Sequence, residues 1–147
     1  MMHTLPLQQI RTEADRFRRA ILTAIDHDAL GDVLGAFNNF PKGSCGKTTA
    51  MLCNHLEKEG LGAWRFVTGW QSQGVPGEGR TTHAWAALDG VVLDITGSQF
   101  PDRPEIWLGE PDDWFAQWDA EPPQPAYWDF DPANELGRAW QLVTQYL

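Results

Sequence analysis

The chain has 147 residues, of which 42% are apolar and 21% charged; that suffices for one domain with its own core and argues against long disorder. No run of about 18 apolar residues occurs, which excludes a transmembrane helix. The formal charge of −9 comes from 11 basic and 20 acidic residues, and residues 101–147 hold 2 of the basic and 10 of the acidic ones. An acidic last third repels phosphates, so nucleic acid and anionic membranes are excluded as partners. A solvated acidic face is the simplest expectation, and a basic protein partner is compatible with it.

Leu7, Ile10, Ala14, Phe17, Ile21 and Leu22 recur at helical spacing with arginines opposite, which predicts a helix over 6–25. Those arginines interrupt any apolar export signal. The expectation is a cytoplasmic protein, or one delivered to a target cell by a Sec-independent route. A short helix is predicted over 29–37, then a loop over 38–44 holding Asn38, Asn39, Pro41 and Gly43. A helix over 45–58 follows, with Ser44 as N-cap, Gly60 as stop, and Ala50, Met51, Leu52, Cys53 and Leu56 on its buried side. Cys45 and Cys53 lie about 12 Å apart on that helix, too far for a disulfide. Cys53 is expected in the core, and His55 at the surface or satisfied by a partner.

Residues 64–70 mix aromatic and β-branched side chains as a strand does. The glycine-rich stretch 71–80 is a flexible loop, either a lid or a long hairpin connection. Residues 82–88 and 91–96 flank Asp89-Gly90, the strongest short-range hairpin signal. Asp112 is placed to cap a short helix over 112–118, and Pro122, Pro123 and Pro125 end it. A last helix is predicted from Asp131 to Tyr146, with Pro132 at its first position. Helices, an antiparallel meander and more helices define a single α+β domain over residues 1–147.

A two-residue turn at Asp89-Gly90 sets the register of the hairpin. Leu88 then faces Val91, Trp85 faces Asp94, and His83 faces Thr96. Side chains alternate along each strand, so His83, Trp85, Asp94 and Thr96 share one face, and Ala84, Ala86, Leu88, Val91, Leu93 and Ile95 the other. His83 and Asp94 become diagonal neighbours with α-carbons about 7–8 Å apart, within reach of a carboxylate–imidazole bond. Cys45 starts a helix, where free N–H groups and the helix dipole favour a thiolate, and Lys42 and Lys47 are close in sequence. Cys45 is therefore the candidate nucleophile, His83 the base and Asp94 the group that orients it. The Cys45 N–H and the Asn39 side chain are candidate oxyanion donors, and Trp85 is a candidate cleft wall or core residue.

Cysteine at a helix start, followed by His and Asp on successive antiparallel strands, resembles the papain-like and transglutaminase-like cysteine hydrolases. Gly43-Ser44-Cys45 is similar to the papain-type motif as far as the nucleophile, with Gly46 where that motif has an aromatic residue. His83-Ala84-Trp85 and Asp94-Ile95-Thr96 resemble the His and Asp strands of transglutaminase-like bacterial proteins. Asn39 lies at the offset of the papain-type oxyanion glutamine, with a shorter side chain. The resemblance covers residues 37–101. It implies a papain-like or transglutaminase-like core and acyl transfer on an amide through a thioester, without a cofactor. Members of that superfamily include peptidases, amidases, glutamine deamidases, transglutaminases and bacterial effector toxins. The implied partner is a protein or peptide substrate or, for a toxin, an immunity protein.

Gly46-Lys47-Thr48 mimics a phosphate-binding loop, but Pro41 stands where that motif needs glycine and no strand precedes it. Asp26-His27-Asp28 cannot converge on one ion, and no Cys or His spacing fits zinc, so no metal is expected. The alternative function is a noncatalytic interaction module, with an acidic surface for a basic partner and a remnant triad.

Overall fold

The computed structural model describes residues 5–27, 37–72, 80–126 and 128–147. Residues 29–36 of the helix expected over 29–37, and most of the 71–80 loop, lie outside the described residues. Helix α1 (Leu7–Asp26) buries Ile10, Ala14, Phe17 and Ile21 of the predicted stripe, and Ala24 beside them. Leu7 and Leu22, expected on that stripe, are exposed: Leu7 is the first residue of the helix, and Leu22 lies beyond the edge of the buried arc. Arg18, expected on the solvent side, is only 7% exposed. Its Nε donates to the Ile95 carbonyl at 3.0 Å, which offsets the cost of burying the guanidinium.

Helix α2 (Cys45–Lys58) has the predicted limits. It ends in a Schellman motif: Gly60 has φ +72°, its N–H donates to Glu57 and the Leu61 N–H donates to Leu56. Ser44 occupies the N-cap position, but its hydroxyl donates to the Pro41 carbonyl at 3.0 Å instead of capping the helix. α1 packs on α2 and on α4 (Glu135–Thr144), while α2 packs on the sheet. His55, buried in α2, holds Glu13 of α1 at 2.8 Å and stacks on Phe17.

The sheet is antiparallel, in the order β4 (Trp107–Gly109), β3 (Val91–Asp94), β2 (Arg80–Leu88), β1 (Arg65–Ser72). Two short strands, β5 (Asp119–Ala120) and β6 (Gln124–Pro125), both pair with the outer edge of β1. Leu88 pairs with Val91 and Ala86 with Leu93, the register of the two-residue turn. β3 stops at Asp94 rather than Thr96. The Asp94 carboxylate accepts the Thr96 N–H at 2.9 Å and bends the chain into a 3-10 turn, Gly97–Gln99. Helix α3 (Asp113–Ala116) is capped by Asp112, as expected. α4 begins three residues beyond the Pro132 start, because Asn134 accepts the Gly137 N–H at 2.8 Å and serves as its cap.

Both faces of the sheet are covered. On one face Ala86, Leu93 and Ile95 join α1, α2 and α4 in the main core. On the other face, Val67, Trp85, Val92, Phe115 and Trp118 form a second core, with Phe100, Trp107 and Trp114 packed against it. Among the described residues no helix is long and apolar enough to cross a membrane.

Candidate active site

Three elements meet at Cys45. The turn before α2 reverses through Gly43, whose φ of +79° suits glycine. It delivers Cys45 as the first residue of the helix, partly exposed. With the Ser44 hydroxyl turned back to Pro41, no side chain caps the helix, and its first N–H groups are available to the thiol. Burial raises the Cys45 pKa. The imidazole of His83 and the backbone N–H groups of Ala84 and Gly46 oppose it, and the net shift is downward.

His83 is fully buried. Its Nε2 lies 2.7 Å from Oδ2 of Asp94, which leaves Nδ1 as the nitrogen for the thiol. The second Asp94 oxygen is occupied as well, by the N–H of Thr96 at 2.9 Å and its hydroxyl at 3.4 Å. The carboxylate is therefore held at both oxygens before it meets the imidazole. Burial pushes the His83 pKa down; Asp94 and the adjacent Cys45 thiolate outweigh it and lift it to about 9. A lowered thiol beside a raised imidazole is the signature of a thiolate–imidazolium pair.

An aromatic cage fixes the plane of the imidazole. The rings of Phe100, Trp85, Trp114 and Trp118 have centroids 5.1–5.7 Å from that of His83. Trp85 is itself 4% exposed and packs on Phe115, so it belongs to the second core while its ring also backs His83. Gly69 makes that packing possible: a Cβ there would lie 2.7 Å from the Trp85 ring and 2.9 Å from Cβ of Trp118. Arg103 braces the cage from outside. It pairs with Asp112 at 2.8 Å, and its guanidinium lies over the Trp114 ring at 4.3 Å.

Asn39 is exposed in the turn before α2, where its backbone carbonyl accepts the Lys42 N–H. The groups that act on the thiol are His83, Ala84 and Gly46 instead. One polar side chain at the site was not anticipated. Gln99 is anchored to the Thr96 carbonyl at 3.1 Å, with the same Nε2 3.5 Å from Nδ1 of His83. It arrives on the 3-10 turn that the Asp94–Thr96 bond creates, and no periodicity marks it. Cys53 lies in the main core, where burial pushes its thiol up to about 12 and leaves it unreactive. Among the described residues no group of three or more metal-ligating side chains converges.

The chain was compared with protein-family models, curated proteins and solved structures, and nothing matches it.

Proposed function

We propose that this protein is a cysteine-dependent acyl-transfer enzyme with a papain-like or transglutaminase-like core. Its substrate is an amide of a protein or peptide. The observation that carries this reading is the buried His83–Asp94 pair at 2.7 Å, with the Cys45 thiol at the free side of the same imidazole. A structural histidine needs no such thiol, and a structural cysteine needs no helix terminus.

In the proposed reaction the Cys45 thiolate attacks the amide carbonyl. The Cys45 N–H, at the open helix start, donates to the developing oxyanion. His83, protonated at Nδ1, passes its proton to the departing nitrogen, and the acyl group remains on sulfur as a thioester. Neutral His83 then takes a proton from the acceptor as it attacks. Water gives hydrolysis or deamidation, and an amine gives transglutamination. Asp94 keeps the Nε2 side of the ring protonated throughout, so Nδ1 is the nitrogen that cycles.

Alkylation by iodoacetamide at neutral pH tests the nucleophile, with peptide mapping to locate the label. Cys45 is expected to react rapidly and Cys53 not at all. Cys45 reacting no faster than a free cysteine would leave the remnant-triad reading in its place. Mass spectrometry of candidate proteins incubated with wild type and with Cys45→Ala then separates cleavage, amide-to-acid conversion and crosslinking.

A further inference from the structure

One well-formed cleft does not contain the triad. It has a volume of about 640 Å³ and runs along the outer face of the sheet, from the Asp89-Gly90 turn to the rings of Trp85 and Trp118. Those two rings pack on His83, so cleft and triad share a wall. The volume is that of a small-ligand or side-chain pocket.

Its chemistry is specific. The floor is Val67, Trp85, Val92, Phe115 and Trp118, which the hydrophobic effect would pair with apolar side chains. Four carboxylates and one cation, Arg65, stand around it. Asp112 is neutralised by Arg103, and Glu121 accepts the Trp70 indole N–H at 3.0 Å. Asp89 and Asp113 are exposed and have no ion pair among the described residues. The rim is therefore net acidic over an apolar floor.

We propose that this cleft binds a peptide segment with apolar side chains flanked by lysine or arginine, its apolar side chains packed on the floor that Trp118 helps to form. The inference rests on the acyl-transfer reading only in naming that segment as part of the substrate. Binding itself needs no thiol. The cleft holds the cationic stretch beside the triad, so a remote part of the substrate raises the local concentration of the amide that Cys45 attacks.

The test uses the full chain and three blocked hexapeptides: Gly-Lys-Phe-Leu-Lys-Gly, its twin with both lysines replaced by glutamate, and its twin with Phe-Leu replaced by Ser-Ser. Binding is followed by NMR on the tryptophan indole N–H signals, in wild type and in Cys45→Ser. The cationic apolar peptide should shift the Trp118 signal and bind about tenfold or more tighter than the acidic twin at low salt. The serine twin should not bind. Ala116→Arg, an exposed α3 position on the cleft, should abolish binding. Asp89→Asn with Asp113→Asn should bring the cationic and acidic peptides to parity; all three variants should melt like wild type. Equal binding of the acidic or serine twin overturns the proposal, as does an unmoved Trp118 signal. So does a dimer in light scattering that Ala116→Arg dissociates, since a second copy would then be the occupant. Peptide binding with an unreactive Cys45 sinks the acyl-transfer reading alone; a reactive Cys45 with no peptide binding sinks this one alone.

Discussion

Asp94 is the residue on which the site turns. One oxygen is spent on the Thr96 N–H and the other on His83, so the carboxylate is a turn-former and, in the proposed reaction, the orienter of the base. Asp94→Asn keeps an acceptor for Thr96 but presents either the wrong tautomer partner or a second donor to Nε2. Turnover should fall by about 10²-fold or more while stability changes by about 1–2 kcal/mol, read from single-turnover assays and denaturant melts. Gln99 has a separable role. Its Nε2 sits 3.5 Å from Nδ1, the nitrogen that exchanges protons with sulfur in the proposed reaction. With Nδ1 protonated in the ion pair the two donors face each other, so in the proposed reaction the second amide N–H, the first being held by the Thr96 carbonyl, serves the developing oxyanion. Gln99→Leu should therefore slow acylation by an activated ester about 10-fold or more, yet leave iodoacetamide alkylation, which forms no oxyanion, near the wild-type rate. Equal slowing of both reactions would reduce Gln99 to a support for the imidazole.

At the scale of elements, two junctions carry the geometry. β1 meets the aromatic cage at Gly69, opposite His83 in the β1–β2 register. A methyl group there collides with Trp85 and Trp118. Gly69→Ala should cost about 1–3 kcal/mol, the range for overpacking, and should lower Cys45 reactivity by disturbing the rings behind His83; thermal melts and alkylation rates measure the two effects. The α1–α2 junction is polar. Glu13 holds buried His55 at 2.8 Å, and that hydrogen bond is the largest cause of its lowered pKa. A lowered folded-state pKa contributes stability that is present above the unfolded carboxylate value and is lost as pH falls through the folded one. Melting temperature should therefore drop more steeply with acidification in wild type than in Glu13→Gln. An identical acid slope in the two proteins would remove Glu13 from that account. Arg18 also works at this scale. It ties α1 to the Ile95 carbonyl, one residue beyond Asp94, and so fixes the exit of β3 against the main core.

Across the whole molecule, the proposed triad is assembled from α2, β2 and β3, with three of the four cage rings supplied by residues 100–118. The sheet carries a core on each face, so His83 is sealed on one side by the second core and reached from the other by the helix start. Water exclusion strengthens the Asp94–His83 interaction. It also predicts a pH window. The Cys45 thiol is lowered from 9.0 and the His83 imidazole raised to about 9. Alkylation of Cys45 should already be fast below the pH at which an ordinary thiol ionises. Turnover, which also needs protonated His83, should decline as pH rises through about 9. A single alkylation titration near that of free cysteine would show that no ion pair forms.

What the sequence determined by itself was local. Asp89-Gly90 sets a two-residue turn, a period of two does the rest, and the His83–Asp94 pairing follows from counting residues. The α2 limits were legible for the same reason, since Gly60 and the loop glycine act within one helical turn. Tertiary structure alone decided the rest. β4, β5 and β6 are two or three residues long, too short for alternation to register, and exist because β3 and β1 offer them edges. α4 starts at Glu135 because the Asn134 side-chain cap outweighs the preference of Pro132 for a first turn. Arg18 turns inward because a carbonyl 77 residues away accepts from it. Apart from Trp85, which alternation places beside His83, the aromatic cage and Gln99 reach His83 from a segment with no pattern of its own, since burial on the second face of the sheet is a contact between distant residues, and such contacts leave no periodic trace in a chain.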